Sequence, residues 1–327
     1  MAQPGDNQPS AEPSNPMPEP GRAPPPAGRG LPFPGPPPGY PVYPSSGTQL
    51  APPPPAGEGT FLDQPGAPPP DRRTAGQWIL LALLGYVVGQ FVASIFTLVA
   101  ATAAGRVHDL TAIGNLSEPP QWYIAASLVG LWVGFFLGPL VASKVRGTGR
   151  MVADFGLRFR PSDLLGIVVG VGGQYLIAAL YLPFHVKNLT APAQKLTGAA
   201  HGWGFLVVAV LTVVGAPFFE ELFFRGLVLR ALVRLFTPAV AAWSSPGARR
   251  SIGRSAGLVA AVVVDGLVFG LAHWERSQFA GLALFGMALA VVSYRTRRQG
   301  MNMVAHASFN LVAVLALLSS RGGVILH

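Results

Sequence analysis

The chain has 327 residues, half of them hydrophobic and only 11% charged, and its mean hydropathy is positive. An average soluble domain carries roughly 25% charged residues, so the composition excludes an ordinary soluble enzyme and points to a membrane protein. Cysteine is absent, which excludes disulfides, thiolate metal sites and a cysteine nucleophile.

The charge adds a second exclusion. The formal net charge is +9, and from Thr74 onward 19 Lys+Arg stand against 8 Asp+Glu. That excess belongs to the apolar part of the chain, where it sets membrane orientation and is no nucleic-acid footprint. Of the 33 prolines, 24 precede residue 71, so the chain divides into two unlike parts. Residues 1–73 hold runs such as Pro24-Pro25-Pro26 and Pro52 to Pro55, a composition that buries no core and favours solvated polyproline II. They read as a disordered tail, a solvated spacer or the recruiter of a partner through its proline runs. No basic segment leads into an early apolar stretch, so the start is not expected to be a signal peptide and the first hydrophobic run is expected to be a retained anchor.

Residues 74–327 read as an all-α, polytopic transmembrane helix bundle. Apolar runs fall near 77–104, 121–143, 163–184, 204–229, 256–273, 278–294 and 302–319, most of them close to the roughly 20 residues that cross a bilayer. Seven spans are expected, with an eighth as an alternative. Arg72 and Arg73 precede span 1, Lys144 to Arg160 lie between spans 2 and 3, Arg249, Arg250 and Arg254 precede span 5, and Arg295, Arg297 and Arg298 precede span 7. These basic loops alternate with charge-poor ones, which places the N-terminal tail in the cytoplasm. Gly170, Gly172 and Gly173 mark a close helix contact. Arg230 and Arg234 read as cations snorkelling to the cytoplasmic interface.

An ionised group in hydrocarbon costs roughly 2.5–3.5 kcal/mol on insertion scales, so each needs a partner or a purpose. Span 4 reads Pro217-Phe218-Phe219-Glu220-Glu221-Leu222-Phe223-Phe224-Arg225, span 5 runs Asp265 to Phe269 to His273, and span 7 carries His306 and Asn310. Glu221 and Arg225 are four apart with the acid first, so they meet on one face as an ion pair that holds span 4. Glu220 is turned about a hundred degrees from that face and has no local cation. A desolvated carboxylate of that kind suits a general base. Phe269 with His273 and His306 with Asn310 repeat the four-residue spacing, so three helices each offer one polar face to a shared cavity. Taken singly, His273 reads as a satisfied polar residue at a helix end and Asn310 as an interhelical hydrogen-bonding group. Asp265 either pairs with Arg225 or orients the face of His273. A lone aspartate and the absence of a Gly-x-Ser-x-Gly turn leave aspartyl and serine chemistry unsupported.

The order Glu220-Glu221-x-x-x-Arg225, Phe269-x-x-x-His273, His306-x-x-x-Asn310 on successive apolar helices resembles the CPBP family. These are the CAAX prenyl endopeptidases and the bacterial proteins of bacteriocin processing and self-immunity, also called Abi, and the resemblance covers roughly residues 150–320. It implies an intramembrane endopeptidase in which Glu220 activates water with help from His273 while His306 and Asn310 stabilise the oxyanion. Glu221 and Arg225 belong to the same motif as support. The implied partners are a membrane-associated peptide or protein substrate and the lipid bilayer, with no nucleic acid.

The glutamate mechanism needs no cofactor. A zinc-dependent version would draw on Glu220, His273 and His306, although no His-Glu-x-x-His helix is present. A non-catalytic immunity, scaffold or transport protein is the remaining alternative, without the internal repeats common in transporters. The Pro-rich tail and the Gly/Ala-heavy spans suit a bacterial protein, for which farnesylated CAAX substrates are not expected, and the substrate stays open. One tension follows from the topology. His273 comes at the far end of span 5, about 27 Å from its start, whereas Glu220 and His306 count toward the opposite side. A shared site therefore requires either that span 5 begins deeper or that span 4 kinks around Pro217, bringing Glu220 to mid-membrane. The second is favoured, because a proline removes a backbone hydrogen bond and span 4 can extend past Arg230.

Overall fold

In hydrocarbon every backbone donor and acceptor must be satisfied within the protein, which favours helices that bond internally along their length. The computed structural model describes residues 72–116, 119–185, 202–243 and 248–320, which include seven helices long and apolar enough to cross a membrane and no strand. They are α1 (Arg72–Ala103), α2 (Gln121–Arg146), α3 (Pro161–Phe184, opening and closing in 3₁₀ turns), α4 (Gly202–Thr237), α5 (Ala248–Ala272), α6 (Phe279–Thr296) and α7 (Gly300–Ser320). All seven expected runs are helices, and the chain is a multi-pass membrane protein of all-α class. The expected tail lies outside the described residues except for Arg72 and Arg73, which open α1.

Small residues set the helix contacts. A Cβ on Gly134 of α2 would run into the carbonyl oxygen of Gly85, so α1 and α2 pack backbone to backbone. Gly170 of α3 meets the Ala305 carbonyl of α7 in the same way, whereas Gly172 faces open space and does not belong to the contact. Away from these seams α1 and α3 show large apolar side chains outward, with Phe91 67% and Val168 70% exposed, as helices facing lipid must. The interior is aromatic. Phe135 stacks on Phe223 at 4.3 Å, and Phe224 meets Phe269 edge to face at 5.2 Å.

The centre of the bundle is α4. It spans 36 residues, longer than the expected run, and is interrupted by two π-helical segments, Leu211–Gly215 and Glu221–Val228. Pro217 withholds a backbone donor, and the wider π turn before it accommodates that loss. The second segment is buried along all eight residues. Because α4 continues past Arg230, Glu220 sits near its middle.

That length corrects one expectation. Arg230 and Arg234 do not snorkel: each residue is 3% exposed, and the Arg234 guanidinium lies 4.0 Å from the centre of the Trp78 ring. Both fall where α4 runs between α1 and α5, so neighbouring helices cover the face that would otherwise reach the headgroups. The basic loop after α2 is itself organised. Asp154 accepts hydrogen bonds from Ser143 Oγ, Thr148 N and Thr148 Oγ1, the Gln299 amide donates to the Gly156 carbonyl, and Arg298 pairs with buried Asp163. The turn between α6 and α7 is thereby tied to the start of α3.

Candidate active site

The helix ends and bulges bring Glu220, His273 and His306 to one place. Glu220, at the last residue between the two π segments of α4, directs Oε2 to 3.7 Å from His273 Nε2 and 3.9 Å from His306 Nε2. His273 follows the last residue of α5, and His306 lies in the first half of α7. The tension over depth is resolved mainly by the length of α4, which carries Glu220 inward to meet the far end of α5.

Glu221 does more than the sequence suggested. Its Oε1 accepts from Arg225 Nη1 at 2.9 Å and also from His306 Nδ1 at 2.8 Å, with Glu221 and Arg225 fully buried. Arg225 further donates Nη2 to the Gly286 carbonyl at 3.2 Å, and its guanidinium lies 4.2 Å from the centre of the Phe269 ring. Asp265, equally buried, comes within 3.5 Å of Arg225 Nε, an ion-pair distance without a hydrogen bond. Of the two roles open for Asp265, the pairing with Arg225 is the one observed. A single cation thus sits between two carboxylates, and one of these also carries an imidazole.

The hydrogen bonds fix the tautomers. A carbonyl only accepts, so the 2.8 Å contact between His273 Nδ1 and the Phe269 carbonyl places a proton on Nδ1. The Glu221 carboxylate, paired with Arg225, likewise accepts a hydrogen bond from His306 Nδ1, which places a proton there. In the neutral ring each Nε2 then carries a lone pair, and both nitrogens approach the same oxygen of Glu220. That oxygen has no hydrogen-bond partner among the described residues. Separations of 3.7 and 3.9 Å exceed a direct hydrogen bond but suit groups bridged by one water. Phe269 packs the assembly, meeting His273 at 4.7 Å and His306 at 5.6 Å between ring centres.

Asn310 is placed differently. Its Nδ2 donates to the Thr212 carbonyl in the first π segment at 2.8 Å, which commits one amide proton to joining α7 and α4. The other amide proton is uncommitted among the described contacts. The partners that spacing did not show are Thr212 for Asn310, Gly286 for Arg225 and His306 for Glu221. The first two act through main-chain carbonyls, which leave no trace in side-chain patterns. The third was accessible in principle, because Glu221 and His306 both belonged to the polar set.

Zinc is a fair test of the donor set. Two imidazole nitrogens with Nδ1 tied to a carbonyl and a carboxylate, plus one carboxylate oxygen, are the right kinds of ligand with the right outer partners. Ligands at about 2.0–2.1 Å from a tetrahedral ion lie about 3.3 Å from one another, closer than the separations here. Among the described residues no group of three or more acidic or histidine side chains meets the geometry of a metal site.

Fold and site together define a polytopic helical membrane protein that gathers a carboxylate and two imidazoles from three spans into its interior. Residues 202–312 match the family model described as type II CAAX prenyl endopeptidase Rce1-like, a likeness consistent with the CPBP resemblance. The match begins at the first residue of α4 and ends two residues after Asn310, which takes in every polar residue of the site. No curated protein and no solved structure matches the chain.

Proposed function

We propose that the protein is an intramembrane endopeptidase of the glutamate type, in which Glu220 is the general base. The observation that carries this reading is the convergence of His273 Nε2 and His306 Nε2 on a Glu220 oxygen that has no other hydrogen-bond partner among the described residues. Water held there loses a proton to Glu220 as its oxygen attacks the scissile carbonyl carbon. His273, anchored through Nδ1, keeps Nε2 as the second acceptor that orients this water. His306 in its doubly protonated form donates Nε2–H to the developing oxyanion, with the Glu221 carboxylate balancing the charge through Nδ1. The free amide proton of Asn310 is the second oxyanion donor. As the tetrahedral intermediate collapses, the proton on Glu220 passes to the leaving amine and the C–N bond breaks. The substrate class is a membrane-associated peptide or protein.

The test is comparative membrane proteomics of cells carrying wild-type protein, Glu220→Gln and Glu220→Ala. A fragment that depends on the protein should disappear in both variants while the protein stays inserted at normal abundance. Undiminished biological activity of Glu220→Ala would overturn the reading in favour of a non-catalytic membrane protein. A second reading rests on the two Nε2 lone pairs: Glu220, His273 and His306 would hold a zinc ion, which would supply a Lewis acid at the scissile carbonyl. Metal analysis of protein purified without chelator decides it, since stoichiometric zinc lost in His273→Ala supports this version and its absence removes it.

A further inference from the structure

A second feature lies beside the Glu220 cluster and takes no part in it. Between α4 and α7 runs a slot of about 380 Å³, lined by Val213, Val214, Pro217, Phe218, Met303, Val304 and Ala307, with Leu157, Arg158 and Phe159 from the segment before α3 also lining it. Its walls follow from the local backbone: the first π segment of α4 contributes Val213 and Val214, and the small side chain of Ala307 keeps the facing side of α7 thin. Val214 and Phe218 on α4, and Phe159 before α3, are 62%, 40% and 60% exposed. The slot is therefore continuous with the apolar surface that meets lipid.

Its charge is what selects an occupant. Arg158 is the one charged residue lining the slot, and among the described residues its side chain makes no ion pair. Arg298, at the same end of the bundle, is committed to Asp163 and Ser162. An apolar channel open to lipid, bordered by an arginine that makes no ion pair among the described residues, is complementary to an apolar chain with an anionic head. A zwitterionic head would bring its own cation to Arg158 and lose that advantage.

We propose that this slot is a binding site for an anionic phospholipid, one acyl chain lying between α4 and α7 and the phosphate-bearing head on Arg158. The site is independent of the proteolytic reading. It borders the active site all the same: Pro217 stands one turn before Glu220, and Met303 and Ala307 flank His306 on its helix, so the bound chain forms part of the wall behind both residues.

The experiment is native mass spectrometry of the full chain in detergent with equal amounts of phosphatidylglycerol and phosphatidylcholine, on wild type, Arg158→Gln and Ala307→Phe. Wild type should retain one phosphatidylglycerol in preference to phosphatidylcholine. Arg158→Gln, at an exposed position that the fold does not need, should lower that preference about fivefold, the effect of one cation at an anionic head. Ala307→Phe should reduce retention of both lipids by filling the slot. A phosphatidylglycerol carrying a photoreactive acyl chain should label the segment 300–307 in wild type and not in Ala307→Phe. Equal retention of the two lipids by wild type, an unchanged preference in Arg158→Gln, or labelling confined to other helices would each overturn the proposal. Should Ala307→Phe fail to fold, Arg158→Gln and the labelled position decide it alone.

Discussion

Adjacent glutamates offer the sharpest test, because the structure gives them opposite duties. Glu221 is fully buried and accepts from both Arg225 and His306, whereas the Glu220 side chain is 13% exposed and its nearest cationic or imidazole nitrogen is 3.7 Å away. Truncating one partner of a buried ion pair costs about 3–5 kcal/mol, and a hydrogen bond to a charged group contributes about 1.5–3 kcal/mol. In Glu221→Gln the amide keeps one acceptor, and Arg225 keeps Asp265 and the Gly286 carbonyl. The loss should then fall near the lower end, about 3 kcal/mol, with Glu221→Ala nearer 5 kcal/mol. Glu220→Gln removes no hydrogen bond and preserves shape, so it should change stability by less than about 1 kcal/mol while abolishing cleavage.

The measurement is reversible unfolding in mixed micelles, followed by tryptophan fluorescence, alongside the fragment assay. A loss of about 3 kcal/mol is a large share of a total of order 5–15 kcal/mol, so the two variants separate clearly. Equal destabilisation by both substitutions, or a stability-neutral Glu221→Gln, would refute the division of labour between them.

Four further outcomes follow from single contacts. Asp265→Asn should cost about 1–2 kcal/mol in the same unfolding assay, less than Glu221→Ala, because Arg225 retains its hydrogen bonds to Glu221 and Gly286. Nitrogen-15 NMR of histidine-labelled protein near neutral pH should find both His273 and His306 carrying a proton on Nδ1, and a neutral ring protonated on Nε2 alone would contradict the hydrogen bonds to Phe269 and Glu221. Gly134→Leu should destabilise by about 1–3 kcal/mol or more, since any Cβ there meets the Gly85 carbonyl, and loss of folded yield in detergent is the readout. Trp274 adopts a positive φ of 53° directly after His273 and donates its indole N–H to Tyr86 Oη at 2.8 Å. Tyr86→Phe should therefore cost about 0.5–1.5 kcal/mol and raise amide hydrogen exchange selectively at residues 273–278.

Much of the site was legible because its residues stand out against their background. In a helix made of Phe, Leu, Val and Ala an ionised group is conspicuous, and the four-residue spacings from Glu221 to Arg225, Phe269 to His273 and His306 to Asn310 needed only helix geometry to be read as shared faces. Depth was harder. The run ending near residue 229 placed Arg230 and Arg234 at an interface, and only the continuation of α4 through the bundle shows them buried, with Arg234 on Trp78. Hydropathy marks where a chain dislikes water, and an arginine looks the same to that measure whether it ends a helix or is covered by neighbours.

By itself the amino-acid sequence determined seven apolar helices and the short set of polar residues that lipid cannot leave without purpose, because the cost of placing charge in hydrocarbon is paid residue by residue. The tertiary structure alone decided which partners those residues take. Asp265 goes to Arg225 and not to His273, Asn310 goes to a main-chain carbonyl at Thr212, and Glu221 joins Arg225 to His306. These pairings depend on the relative depth and rotation of α4, α5 and α7. The two π segments of α4 set that rotation by shifting the hydrogen-bond register around Glu220, a change in backbone bonding that no side-chain spacing records.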